Sequence, residues 1–267
     1  MKLFYRKYGA GPPLIILHGL YGSSDNWVTI AKKLSETFTV YLPDQRNHGQ
    51  SPHSEKHDYD SMRDDLFELA SDLKLKKFFL AGHSMGGKTA ISFALKWPEM
   101  LNGLLIADIS PFSNETARDS VYSQHYTILD AILTFELNKI STRDEAEKAL
   151  SEKITSEKVR GLILKNLQRT NDNTFSWKLN AGSLLKNLDK IMEGVERKTD
   201  FSQQITGFPV IFLKGGESDY IPSGDFRDIQ NVFPAAEIIE VPGAGHWIQA
   251  DKPDEVVKYL KRLLGNS

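Results

Sequence analysis

The chain has 267 residues, no cysteine and a formal net charge of −2 at pH 7. The absence of cysteine excludes disulfide bonds, thiolate nucleophiles and cysteine-ligated zinc, and the near-neutral charge gives no basic footprint for nucleic acid or an anionic membrane. No apolar run reaches the roughly 20 residues of a membrane span, and the N-terminus lacks the apolar region of a signal peptide. The length suits one α/β domain or a core with an insertion, and the composition fits a reducing cytoplasm.

Strand and helix patterns alternate through the first 111 residues. An edge strand is predicted at 3–8, and apolar runs typical of buried parallel strands lie at 14–17, 39–42, 78–82 and 104–107. Helices are predicted between these runs at 26–36, 62–73 and 89–97. This order indicates a mostly parallel sheet that is covered by helices on both faces.

The strand pattern stops between about Phe112 and Gln204. Helices without intervening strands are predicted there, at 120–138, 143–153, 156–167 and 183–197. About 90 residues of short helices bury too little surface to form a core of their own. We therefore expect a helical cap at 112–204 on an α/β core made of 1–111 and 205–267. In the second part of that core, strands are predicted at 208–213 and 237–241, and helices at 223–232 and 253–264.

The run Gly82-His83-Ser84-Met85-Gly86 has the form G-x-S-x-G and lies between a predicted strand and a predicted helix. This is the pattern of a nucleophile elbow, in which a strained turn presents the serine at the sheet edge. The glycines two positions away leave room for the sharp bend. The sequence therefore predicts that Ser84 is a nucleophile.

A serine nucleophile needs a base that is held by a third group. His246 follows the last predicted strand at a glycine-rich turn, and the order serine, acid, histidine suits this type of sheet. Two aspartates at strand ends on the same edge, Asp108 and Asp219, are both candidates for the acid. The oxyanion hole is predicted from two backbone N–H groups, those of Leu20 and Met85.

The other histidines are given structural or solvent-exposed roles. His18 is expected to orient the oxyanion loop, and His48 to stabilise its own loop. His83 lies inside the elbow and cannot turn back to serve Ser84. The remaining three are predicted to be solvated, namely His53, His57 and His125.

Four segments together resemble the α/β-hydrolase superfamily over nearly the whole chain, namely 18–22, 44–51, 82–87 and 243–246. Within it, segments 23–27, 46–49, 108–111 and 215–218 look like the YbfF-type bacterial esterases. That resemblance implies hydrolysis of short acyl esters, a link to acyl-CoA thioesters, and an acid at Asp108. The subgroup usually lacks an acid where this chain has Asp219, so Asp219 stays open as the alternative.

The sequence thus predicts a serine hydrolase that cleaves a small-molecule acyl ester or thioester through an acyl-enzyme. No cofactor or metal is expected, and the polar segment 44–51 is interpreted as structural. Lysines at 139, 148, 153 and 165 are interpreted as a solvated face rather than a site for a CoA phosphate. Two alternatives remain: a perhydrolase, C–C hydrolase or lyase on the same fold, and a non-catalytic small-molecule receptor.

Overall fold

The structure is a computed structural model that describes residues 1–113, 118–195 and 204–265. Its strands are β1 (Tyr5–Tyr8), β2 (Pro13–Leu17), β3 (Thr39–Pro43), β4 (Phe78–His83), β5 (Leu101–Ala107), β6 (Leu167–Arg169), β7 (Phe175–Trp177), β8 (Val210–Gly215) and β9 (Ala236–Val241). Its α-helices are α1 (Val28–Leu34), α2 (Tyr59–Asp72), α3 (Met85–Lys96), α4 (Arg118–Leu133), α5 (Arg143–Ser151), α6 (Glu157–Leu164), α7 (Ala181–Lys186), α8 (Leu188–Met192), α9 (Phe226–Val232), α10 (Ile248–Asp251) and α11 (Pro253–Gly265). Short 3₁₀ helices lie at Ser24–Trp27, Pro98–Met100, Leu137–Lys139 and Ser223–Asp225.

Seven strands form one sheet in the order β1-β3-β2-β4-β5-β8-β9. Only β1, at the edge, pairs antiparallel to its neighbour, whereas the other pairs are parallel. The prediction of a mostly parallel sheet is therefore confirmed. All carboxyl ends of the parallel strands meet at one edge, which is where open α/β sheets bind their ligands.

Helices cover both faces of the sheet because the central strands are apolar on both sides. Ile15 and Leu17 face the layer that contains α2, α3 and α9. Leu14 and Ile16, which alternate with them, face the layer of α1 and α11. The apolar runs found in the sequence thus correspond to strands sandwiched between two helical layers.

The chain between β5 and β8, called the insertion below, contains α4 to α8 and the hairpin β6–β7. Its apolar cluster also includes three residues from the sheet edge, Leu20, Tyr21 and Trp247, so it packs over the carboxyl ends of the strands. The expectation of no strand here was wrong, because Leu167 to Arg169 pair with Phe175 to Trp177. The five residues 170–174 connect these two strands, and each strand has three residues, which is too short to show a strand periodicity in the sequence.

Several predicted helices in the insertion are shorter than the apolar periodicity suggested. The helix expected at 120–138 ends at Leu133, and the helix expected at 183–197 is two helices separated at Asn187. Asn187 leaves helical geometry and its amide donates to the carbonyl oxygen of Glu55 in the core, at 2.8 Å. The end of that predicted helix, at Glu196 and Arg197, lies outside the described residues. No described helix combines the length and apolar character needed to cross a membrane.

Candidate active site

Ser84 lies at the junction of β4 and α3 with φ 52° and ψ −120°, a conformation that few non-glycine residues adopt. The two glycines of the predicted elbow make that turn possible. A Cβ on Gly82 would lie 2.2 Å from the carbonyl oxygen of Gly86, and a Cβ on Gly86 would lie 2.5 Å from that of His18. The turn holds Ser84 at the carboxyl edge of the sheet, at the N-terminal end of α3, where first-turn N–H groups have no intrahelical partner.

Asp108 follows β5 and His246 follows β9, and their side chains meet. The Nδ1 atom of His246 donates to Oδ2 of Asp108 at 2.8 Å. Asp108 is fully buried, and it also has a positive φ of 51°. Because Nδ1 carries the proton in this bond, Nε2 is the nitrogen of His246 that is left to accept a proton.

The carboxylate of Asp108 has two further donors. The backbone N–H of Gly215 donates to Oδ1 at 2.8 Å, and the hydroxyl of Ser218 donates to Oδ2. Three donors hold a buried carboxylate in one orientation. Asp108 therefore holds the His246 ring in one orientation.

Ser84 and His246 line the same cavity, which has a volume of about 220 Å³. The sheet edge contributes Leu20, Tyr21, His83, Tyr220 and Trp247 to the wall, and the insertion contributes Gln124, His125, Ile128, Val159 and Leu162. Among the described residues, no hydrogen bond joins the Ser84 hydroxyl to His246. Ser84 and His246 thus face the same chamber. Within the described residues, the Ser84 hydroxyl has no side-chain hydrogen-bond partner.

Asp219 lies elsewhere. Its side chain is exposed, and it lines a smaller cavity of about 90 Å³ together with Lys88 and Arg118. No hydrogen bond within the described residues links Asp219 to His246. Tyr220 lies on the wall of both cavities.

The loop that contains Leu20 is held by His18. The Nδ1 atom of His18 donates to the carbonyl oxygen of Gly19 at 2.9 Å, and its Nε2 accepts the N–H of Gln45 at 2.9 Å. Burial lowers the pKa of His18, so the ring is neutral and can both donate and accept. These contacts agree with the expectation that His18 orients this loop.

Three residues around His246 have roles that the sequence did not assign. His83 donates from Nε2 to the carbonyl oxygen of His246 at 2.7 Å, and burial keeps the pKa of His83 well below its usual value. The ring of Tyr220 stacks on His246 with centroids 3.7 Å apart and planes 18° apart. Ser218 contacts Asp108 as described above. In the sequence, Ser218 could have been noticed because it lies in segment 215–218, one of the segments that resemble the YbfF-type esterases.

Two histidines that were predicted to be solvated are not. His57 is fully buried and burial, reinforced by the charge of Arg46, lowers its pKa to about 3. His125 is half-buried on the cavity wall, and burial followed by repulsion from His246 lowers its pKa to about 4. Both predictions failed because tertiary contacts made by the insertion and by α3 cover these positions. His53 is exposed, and His48 donates from Nδ1 to the carbonyl oxygen of Arg46 within its own loop, at 2.9 Å.

The segment 44–51 has a structural use. The carboxylate of Asp44 accepts the backbone N–H groups of Ser24 at 2.6 Å and Gln50 at 2.8 Å. Within the described ranges, no group of three or more His, Asp or Glu side chains is arranged to hold a metal ion.

The family profile of the alpha/beta hydrolase fold matches residues 12–253, so the chain belongs to the α/β-hydrolase family. Several of its relatives are named as esterases or lipases. It is 37% identical to the sn-1-specific diacylglycerol lipase ABHD11 of Danio rerio over 96% of this chain and 79% of that protein. It is 29% identical to the esterase YbfF of Escherichia coli, over 95% of this chain and 93% of that protein. Among solved structures, a marine microorganism esterase superposes with a TM-score of 0.90 at 41% identity, over 98% of this chain and 99% of that one.

Proposed function

We propose that the protein hydrolyses carboxylic esters or thioesters through an acyl-enzyme on Ser84, with His246 as the base and Asp108 as the acid. The observation that carries this proposal is the 2.8 Å bond between Asp108 and His246, because His246 lies on the wall of the chamber that also contains the strained Ser84. That bond leaves the second imidazole nitrogen available for the serine proton.

In the first half of the reaction, the Ser84 hydroxyl gives its proton to Nε2 of His246 and its oxygen attacks the acyl carbon. The carboxylate of Asp108 stabilises the imidazolium that forms. The carbonyl oxygen becomes an oxyanion, which accepts from the backbone N–H groups of Leu20 and Met85, and each such donor lowers the barrier by about 3 kcal/mol.

The tetrahedral intermediate then collapses, and the alcohol or thiol leaves with the proton of His246, which completes the acyl-enzyme. Water then enters, gives a proton to Nε2, and attacks the acyl-enzyme. A second tetrahedral intermediate releases the carboxylic acid and returns the proton to Ser84. The cycle consumes one water and requires no group beyond this chain's own residues.

Asp108 is proposed as the acid in preference to Asp219. Asp108 is fully buried and accepts the N–H of His246, whereas Asp219 is exposed and borders the other cavity. An exposed carboxylate without contact to the imidazole does not fix its tautomer. The resemblance to the YbfF-type esterases points to the same residue.

The insertion is proposed to act as a cap that selects the acyl or alcohol part of the substrate. Its side chains Ile128, Val159 and Leu162 are apolar and form part of the chamber wall. A mainly apolar chamber of about 220 Å³ suits a small to medium acyl group. The names of the relatives, a diacylglycerol lipase and esterases, support an ester substrate.

The test is labelling with a fluorophosphonate probe, followed by hydrolysis assays on p-nitrophenyl esters and acyl-CoAs of graded chain length. We expect the intact protein to take the label and Ser84→Ala to take none. Hydrolysis should be fastest with short to medium acyl chains. A folded protein that binds esters but neither takes the label nor hydrolyses them would be a receptor. Labelling without hydrolysis of any ester or thioester would point to different chemistry on this fold.

A further inference from the structure

The roof of the chamber contains one titratable side chain, His125 of α4, among the described residues that line it. Of the other lining residues from the insertion, Ile128, Val159 and Leu162 offer no hydrogen bond, whereas Gln124 carries a side-chain amide that does not titrate. Since apolar walls discriminate weakly between substrates, a polar group there has a large influence on which substrate is accepted.

His125 is held by the oxyanion loop. The hydroxyl of Tyr21 lies 3.0 Å from Nδ1 of His125, and the two rings have centroids 5.7 Å apart. Tyr21 is itself fixed: it is buried, has φ 63°, and its carbonyl oxygen accepts the amide of Asn166 at 2.8 Å. The imidazole of His125 is thus oriented by a residue adjacent to Leu20.

The protonation states follow from burial. Burial raises the pKa of Tyr21 well above its ordinary value, so the phenol keeps its proton. Burial and repulsion from His246 lower the pKa of His125 to about 4, so its ring is neutral at neutral pH. The Tyr21 hydroxyl lies 3.0 Å from Nδ1 and 3.5 Å from the backbone carbonyl oxygen of His125. We assign its proton to the nearer Nδ1, and this assignment places the ring proton of His125 on Nε2. That N–H has no partner within the described residues.

Given the proposed ester hydrolysis, we propose that His125 is a substrate-binding residue whose Nε2–H donates to an acceptor oxygen of the substrate other than the reacting carbonyl. Tyr21 is its positioning residue. The preferred substrate is then an ester that carries a second oxygen, such as an ether, hydroxyl or carbonyl, on its acyl or its alcohol part. A simple alkyl ester would fill the chamber without offering this N–H an acceptor, which costs binding.

Two pairs of near-isosteric substrates test this. In the first, p-nitrophenyl methoxyacetate is compared with p-nitrophenyl butanoate; in the second, 2-methoxyethyl butanoate is compared with butyl butanoate. We expect His125→Phe to lower kcat/KM for the oxygen-bearing member of one pair by about 5- to 10-fold more than for its partner. His125→Gln, which keeps a donor, should retain most of the preference. Equal effects on both members of both pairs would overturn the proposal.

A second measurement does not depend on turnover. In Ser84→Ala protein labelled with ¹⁵N-histidine, His125 should show a proton on Nε2 at pH 7, and methoxyacetate should shift that resonance more than butanoate does. Tyr21→Phe should broaden or move the resonance, because the ring loses its positioning bond. A proton on Nδ1, or equal responses to the two acids, would contradict the inference. If the wild-type protein hydrolyses no ester while the resonance responds as expected, the proposed function fails and the binding site remains.

Discussion

The hydroxyl of Ser218 donates to Oδ2 of Asp108, the same oxygen that accepts the N–H of His246. Ser218 is buried and lies on the loop after β8, whereas Asp108 lies at the end of the adjacent strand β5. The oxygen that accepts from the imidazole is therefore held by a second donor. This contact links the orientation of His246 to a residue that does not touch the chamber.

Ser218→Ala should lower kcat by about 10-fold, which corresponds to about 1.4 kcal/mol, with a small change in KM. The reason is that Asp108 loses one of its donors and the imidazole becomes less well oriented, while the chamber keeps its shape. Steady-state kinetics on one ester measures the effect. The matched control is Ser223→Ala, which replaces an exposed serine between β8 and α9 and should leave kcat unchanged. Equal kinetics for the two variants would remove the positioning role.

Asp108→Asn should lower kcat by on the order of 10³- to 10⁴-fold, because the amide cannot hold the imidazole in the proton-accepting tautomer. Asp219→Asn should change kcat by less than about 3-fold, since this exposed side chain has no contact with His246. Circular dichroism establishes that both variants fold. The reverse ranking would reassign the acid to Asp219.

Stability should fall in mild acid because of His57. Its pKa is lowered from 6.5 to about 3 by burial, so below pH 6.5 the unfolded chain binds a proton that the folded chain does not. The folded state therefore loses about 2 kcal/mol from this residue between pH 7.5 and pH 5. Urea unfolding of His57→Gln at the two pH values should show a pH-dependent loss that is smaller by about that amount.

His53→Gln serves as the control for that experiment, because His53 is exposed and close in sequence. Its pH-dependent loss should match that of the wild type. Other histidines also have a lowered pKa and keep part of the acid sensitivity in both variants, namely His18, His48, His83 and His125. An unchanged acid sensitivity in His57→Gln would show that His57 is protonated in the folded state.

Gly86→Ala should abolish hydrolysis and destabilise the fold by more than about 2 kcal/mol. A Cβ at this position would meet the carbonyl oxygens of His18 and Leu17 at 2.5 and 2.6 Å, and backbone atoms cannot move aside cheaply. Gly161 in α6 provides the contrast, because a Cβ there has no neighbour within 4 Å. Gly161→Ala should stabilise by about 0.5 to 1 kcal/mol with no loss of kcat. Thermal unfolding measures the change in stability of both variants, and ester hydrolysis measures the change in kcat.

The sheet and its elbow could be predicted because local sequence determines them. Apolar runs such as 14–17 and 78–82 fit a strand that is buried on both faces of a parallel sheet. The glycines around Ser84 are explained by the space that a sharp turn requires. The resemblance to known esterases added Asp108. From the residues alone, Asp108 and Asp219 were equivalent strand-end aspartates, since the choice depends on which strand lies beside which.

The contacts made by the insertion could not be predicted. His125 and His57 have polar or weakly periodic neighbours in the sequence. The contacts that cover them are long-range, namely Tyr21 for His125 and Met85 of α3 for His57. The same holds for Asn187, whose break in the helix depends on the carbonyl of Glu55 more than 100 positions earlier. Long-range polar contacts leave no periodic trace in a single sequence.

Strands β5 and β8 are neighbours, with Leu104 beside Val210, although the whole insertion separates them along the chain. The chain leaves the sheet at the carboxyl end of β5 and re-enters it at Val210, the amino end of the neighbouring parallel strand β8. The insertion can therefore change in length or in structure without shifting any strand. A change in the length or sequence of the insertion would therefore alter the chamber wall while the bond between Asp108 and His246 is kept.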